Sequence, residues 1–125
     1  MEFRSTQPIY LQIADYFCER ILLGKWKAEE KIPSVREIAV TMEVNPNTAM
    51  RAFTYIQENN IIYNKRGIGY FVSPDGVEKA RQLKKETFIK DELPVIFRTM
   101  DILDLDCADM QSIYRKENPP GTANQ

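Results

Sequence analysis

No histidine occurs in the 125 residues, and the two cysteines, Cys18 and Cys107, stand far apart with no Cys-x-x-Cys spacing. The first absence removes histidine-based nucleophilic catalysis and histidine-rich zinc sites. The second leaves both thiols as reduced, structural residues within apolar helical patterns. With no nucleophile-base pair in view, no enzymatic activity, cofactor or metal is expected. No run approaches the roughly 20 apolar residues that cross a bilayer, so no membrane partner is expected. Met1-Glu2-Phe3-Arg4 lacks the basic start and apolar stretch of a signal peptide, so the chain is expected in the cytoplasm. An excess of positive charge is missing as well. The formal net charge is −1, whereas phosphate binding is commonly announced by a strongly basic chain.

The hydrophobic fraction of 43% and charged fraction of 28% are those of a soluble globular protein. The length suits one core of ordinary size with a short appendage. Charge becomes informative only locally: residues 1–73 hold nine Lys/Arg against eight Asp/Glu, and residues 74–125 eight against ten. The sign of that small difference favours the first part as the one that meets nucleic acid.

Gln7-Pro8 suits a helix start, because proline at the first helical position gives up no hydrogen bond. The helix is predicted to run to Leu23, with a buried stripe of Ile9, Ile13, Phe17 and Ile21 and a stop at Gly24. Trp26 follows in a loop and is expected to pack across the helix ends. Ser34-Val35-Arg36-Glu37 is a capping box that opens a short second helix, apolar at Val35, Ile38, Ala39 and Met42 and ending near Glu43. About three residues later Asn45-Pro46-Asn47-Thr48 supplies a capping asparagine and a first-turn proline. Two helices joined by so tight a turn are a helix-turn-helix.

The third helix buries Ala49, Ala52, Phe53 and Ile56. At ~100° per residue its opposite face carries Asn47, Arg51, Thr54 and Glu58, edged by Met50 on one side and Thr48 and Tyr55 on the other. Ile61 to Asn64 and Tyr70 to Val72 read as paired strands around the basic turn Lys65-Arg66-Gly67-Ile68-Gly69. The turn formers Ser73-Pro74-Asp75-Gly76 place a domain boundary at 73/74. Beyond it, Val77 to Lys90 is a charged helix with a thin seam of Val77, Ala80, Leu83 and Phe88, broken or kinked near Asp91 to Pro94. Leu93, Ile96, Phe97, Met100 and Leu103 form an apolar stripe that needs a partner, more in keeping with a dimer seam or an intradomain contact than a cofactor box. Asp106 can cap a last helix carrying Met110, Ile113 and Tyr114, and a frayed tail is expected from Asn118. Asp101, Asp104, Asp106 and Asp109 could in principle hold a hard cation, but they lack the glycine turn and terminal glutamate of a calcium loop. The simpler reading is that two cap a helix and the others face water.

The fold class expected is therefore α+β, mostly helical: a winged helix-turn-helix of three helices and a two-stranded wing, followed by a small all-α dimerisation domain. A helix entering the major groove needs short polar side chains near its N-terminus, where backbone N–H groups also favour phosphate. Asn47, Thr48 and Arg51 meet that need. A hairpin tip at the minor groove needs a cation and a glycine that lets the backbone come close. Lys65, Arg66 and Gly67 meet that one. Each piece alone has an ordinary structural explanation, as a helix start or a solvated turn; their order along the chain carries the inference. Ser34, Asn45 and Tyr55, at the helix starts and on the flank of the third helix, join the candidate DNA-contacting set.

The order also resembles the GntR family of bacterial transcription regulators. The motifs are Pro8-Ile9-Tyr10-Leu11-Gln12-Ile13, Pro33-Ser34-Val35-Arg36-Glu37-Ile38-Ala39, Val44-Asn45-Pro46-Asn47-Thr48, Arg51-Ala52-Phe53 and Gly67-Ile68-Gly69-Tyr70-Phe71-Val72. The short remainder is similar to the YtrA-type subfamily, whose small helical domain dimerises. The resemblance implies that Arg36 contacts DNA, that the start of the third helix reads bases and that the wing reaches the minor groove. It departs at Pro46 and Met50, where many relatives carry arginine; Arg51 takes that role on geometric grounds. It further implies control of a neighbouring transport operon.

The expected partners are a double-stranded DNA operator, a second copy of the chain and a small-molecule effector that alters the dimer. The expected function is that of a dimeric repressor on a palindromic operator. A winged-helix protein-interaction module is the reading from another class, permitted by the near-neutral charge and separated by the salt dependence of DNA binding.

Overall fold

Pro8, with φ −55° and ψ 142°, stands as the cap of the first helix, α1 (Ile9–Leu22). The computed structural model describes residues 7–120. Ile13, Phe17 and Ile21 are fully buried, but Ile9 is 44% exposed. The expected stripe therefore starts one turn later, because the first helical residue projects beyond the packed part of the bundle. Behind Leu23 the Lys25 N–H donates to the Arg20 carbonyl and the Gly24 N–H to that of Ile21, the paired bonds of a Schellman stop. Trp26 is buried and meets Phe17 edge-on, with ring centroids 5.1 Å apart.

Helix α2 (Val35–Met42) opens on the expected capping box: Ser34 Oγ accepts from the Glu37 N–H at 3.1 Å, and Glu37 Oε1 accepts from the Ser34 N–H at 2.8 Å. It ends at Glu43, whose φ of 54° turns the chain sharply. Helix α3 (Pro46–Glu58) begins after Asn45, whose Oδ1 accepts from the Asn47 N–H at 2.7 Å. Ala49, Ala52, Phe53 and Ile56 of α3 are completely buried. Phe53 packs edge-on to Phe17 at 5.0 Å and meets Tyr70 at 4.8 Å, so one ring joins α1, α3 and the wing.

The wing is β1 (Ile62–Lys65) paired antiparallel with β2 (Gly69–Val72), in the register Ile62 to Val72 and Lys65 to Gly69. Each strand reaches one residue further into the turn than the sequence implied. A third, strand-like segment carries no signature in the sequence. Lys31 bridges Phe71, Ile32 donates to Tyr70 and Val72 donates to Glu30, so residues 29–32 run along the free side of β2. This covers an edge that would otherwise be open to other strands. These elements make a winged helix-turn-helix.

Helix α4 (Gly76–Thr87) follows the turn at Ser73 to Gly76. Ala80 is completely buried in the core, with Val77 and Leu83 packed against it. Lys84 Nζ lies 2.7 Å from Asp15 Oδ1 and 3.5 Å from Glu19 Oε1, both on α1. The first compact unit accordingly extends to Glu86 and the second begins at Thr87. The turn at 73 to 76 reverses the chain, and the helix beyond it packs back onto the core.

The second unit contains a π-helical segment, Phe88–Glu92, then α5 (Leu93–Ile102) and α6 (Cys107–Glu117). The break expected near Asp91 to Pro94 takes the form of that π segment. Pro94 has no N–H to donate and its ring crowds the carbonyl of Lys90, so the hydrogen-bond ladder widens just before it. Asp106 caps α6: its Oδ1 accepts from the Asp109 N–H at 2.8 Å while Asp109 Oδ2 accepts from the Asp106 N–H at 3.0 Å. Asp101 and Asp104 are exposed. Among the described residues no helix is long and apolar enough to cross a membrane. Asn118 closes α6 with its N–H on the Tyr114 carbonyl; the tail expected to fray beyond it lies mostly outside the described residues.

Candidate nucleic-acid interface

The packing of α3 decides what it can present. With one side fully committed to the core, Asn47, Met50, Arg51, Thr54 and Glu58 are left exposed and Thr48 half-buried at the edge. The first turn of α3 lies against the first turn of α1, and Asn47, Thr48 and Arg51 line with Pro8, Ile9 and Tyr10 a shallow depression of about 370 Å³. The three residues expected to read bases are thus brought to one place. Arg51 stretches back over α1, its guanidinium carbon 4.0 Å from the centroid of the Tyr10 ring.

Two candidates are already engaged in capping. Ser34 Oγ and Asn45 Oδ1 each accept a backbone N–H, which leaves the serine proton and the asparagine amide as donors for a phosphate. The starts of α2 and α3 also point backbone N–H groups outward, where the helix dipole favours an anion. Arg36 lies exposed in the first turn of α2. Tyr55 is half-buried with its ring edge-on to Tyr10, centroids 6.0 Å apart, so its ring serves the α1–α3 contact.

On the wing, Arg66 and Gly67 are exposed at the tip, and the Ile68 N–H closes the turn on the Lys65 carbonyl at 2.9 Å. Gly67 has φ +78°, a conformation that costs other residues roughly 1–2 kcal/mol. Lys65 Nζ sits 4.6 Å from the centroid of Phe71, whose other neighbour is the stacked ring of Tyr63 at 5.8 Å. Lys31 adds a cation that sequence reasoning missed. Its side chain crosses Gly69 at the turn end of β2; the signal lay in a loop whose pairing with β2 is not local.

Among the described residues both ion pairs belong to Lys84, and no described carboxylate pairs with Arg36, Arg51, Lys65 or Arg66. A chain of net charge −1 thereby keeps, among the described residues, cations with no carboxylate partner on the outward face of the helix-turn-helix and on its wing. Local availability of positive charge, with helix N-termini, is what binding a polyanion requires. Two other titratable groups, Cys18 and Lys84, serve the fold. Burial, reinforced by the charge of Asp15, pushes the Cys18 thiol up to about 12, so it stays protonated and unreactive. Burial works against the charge on Lys84, but its hydrogen bond to Asp15 and the charges of Asp15 and Glu19 outweigh it and raise its value. Among the described residues no three acidic or thiol side chains gather into a cation site.

A helix-turn-helix with a basic wing and an unpaired cationic face defines the class: a winged-helix DNA-binding protein. Residues 9–72 match the family described as bacterial regulatory proteins, gntR family. The chain belongs to the GntR family of transcription regulators. It is 38% identical over 90 residues to the HTH-type transcriptional repressor YtrA of Bacillus subtilis, an alignment covering 72% of this chain and 68% of that one. A transcriptional regulator of the GntR family from Bacteroides thetaiotaomicron has a similar structure. Its TM-score is 0.71 with 44% identity, covering 86% of this chain and 94% of that one. BusR of S. agalactiae, solved in complex with its busAB-promotor DNA, is similar with TM-score 0.61 and 25% identity over 86% of this chain and 51% of its own.

Proposed function

We propose that the protein is a dimeric repressor that occludes a promoter by binding a palindromic operator. The observation that carries this reading is the convergence of Asn47, Thr48 and Arg51 at the exposed start of α3, with no described carboxylate to neutralise the arginine. In this reading Asn47, Thr48 and Arg51 set sequence preference, Arg36 and the helix starts hold phosphates, and Lys65, Arg66 and Gly67 enter the minor groove. The repressor name carried by the YtrA relative and the promoter DNA bound to BusR support it. A regulator of transcription works where its DNA is, which supports a cytoplasmic location.

The second unit is the proposed dimerisation domain. Ile96, Phe97 and Leu103 are 37%, 50% and 59% exposed, and Ile102 is 76% exposed, a concentration of apolar surface that calls for a partner. Met100, expected in the apolar stripe, is buried within the single chain and offers a partner little surface. Two copies related by a two-fold axis place their recognition helices about one helical turn apart, ~34 Å. An effector that changes the dimer geometry would release the operator, and an adjoining transport operon is the proposed target. Selection of bound duplexes from a random pool tests this reading. Inverted half-sites centred about 10 bp apart are expected, and enrichment of a single unrepeated site would count against a symmetric dimer.

A further inference from the structure

An arginine on the outer face of a helix ordinarily samples many rotamers, and ordering it on DNA costs binding free energy. Arg51 is held before any DNA arrives. Its guanidinium carbon lies 4.0 Å from the Tyr10 ring centroid, and among the described residues no carboxylate or hydrogen-bond acceptor competes for it. Tyr10 is itself fixed. It lies in the first turn of α1, which Pro8 caps and which the Gln12 Nε2 donation to the Gln7 carbonyl at 2.8 Å ties down. Its ring is half-buried against the core and braced edge-on by Tyr55. The attraction of a guanidinium to a ring face acts between charge and quadrupole and leaves the N–H donors unspent. Those donors match the paired acceptors on the major-groove edge of guanine.

We propose that Tyr10 is a positioning residue for base recognition: through its ring, α1 holds Arg51 in the orientation that reads a base edge. The proposal rests on Arg51 being a base reader, and it assigns part of the recognition site to a helix outside the helix-turn-helix pair. Tyr10 touches no base in this scheme; it acts through Arg51.

The test uses the full chain, the duplex sequence enriched by the parent from a random pool, and an unrelated duplex as reference, all at one salt concentration. Tyr10→Leu is expected to lower the ratio of specific to reference affinity about fivefold, the order of an exposed cation–π contact. The loss should fall at the base positions that Arg51→Ala relaxes, with the salt slope unchanged. Tyr10→Phe should restore the ratio. The double variant Tyr10→Leu with Arg51→Ala should discriminate no worse than Arg51→Ala alone, since two residues acting through one contact are not additive. Pentafluorophenylalanine at position 10 keeps the ring's bulk and reverses its quadrupole, so it should lose discrimination as leucine does, and it serves even where leucine perturbs folding. A loss with leucine but none with the fluorinated ring would assign Tyr10 to packing and overturn the proposal. So would losses from Tyr10 and Arg51 that multiply, while leaving Arg51 a base reader. If Arg51→Ala discriminates as the parent does, the reading of Arg51 fails and the positioning role falls with it.

Discussion

Gly76 has no room for a side chain. A Cβ there would lie 2.6 Å from Val72 Cγ1 and 2.9 Å from the Ile61 carbonyl oxygen, and Val72 is completely buried. Neither neighbour can move cheaply in a close-packed interior. Gly76→Ala is therefore expected to destabilise the first unit by about 1–3 kcal/mol, measured by urea unfolding with the lone tryptophan, Trp26, as reporter. An unchanged midpoint would contradict the packing described. In the sequence Gly76 reads only as a turn residue, because the backbone it approaches, at Ile61, is distant along the chain and comes near only once β1 and β2 pair. The same holds for Tyr10 and Arg51, forty-one positions apart: helical periodicity gives a face but not the neighbour across it.

Among elements, those specified by adjacent residues were legible. Ser34 with Glu37, Asn45 with Pro46, and Asp106 with Asp109 each close a cap within four residues, so the starts of α2, α3 and α6 follow from the sequence. Non-local pairing was not legible: residues 29–32 carry no alternating pattern, yet they edge β2. Nor did the charged surface of α4 disclose that Ala80 and Lys84 tie it to the first unit. The α2 cap has a pH signature. The Ser34 N–H bond holds the Glu37 carboxyl below the ordinary glutamate value. A lowered folded value gives stability that is complete above the unfolded value and lost as pH falls through the folded one. Glu37→Gln should thus melt below the parent at neutral pH, with the gap closing on the acid side of the carboxylate range. A gap independent of pH would remove the carboxylate from the cap. Ser34→Ala should cost about 1 kcal/mol at neutral pH in the same thermal scan; an unaltered melting temperature would show that the cap contributes nothing.

For the whole molecule, the division of labour proposed between the two units makes them separable by mutation. Phe97→Asp, at a half-exposed site in the second unit, is expected to halve the mass seen in sedimentation. It should leave the Trp26-reported unfolding of the first unit within about 0.5 kcal/mol of the parent. A dimer that persists would place the seam elsewhere. Bulk charge said little about DNA, because the cations proposed to meet it are few and, among the described residues, none of them pairs with a carboxylate. Titration of an operator duplex against the full chain over a series of salt concentrations addresses that point directly. Log affinity should fall linearly with log salt, and Arg66→Ala should lower the slope by about 1 without shifting base preference. Binding that ignores salt, or no binding to DNA at all, would contradict the account and leave the winged helix as a protein-interaction surface.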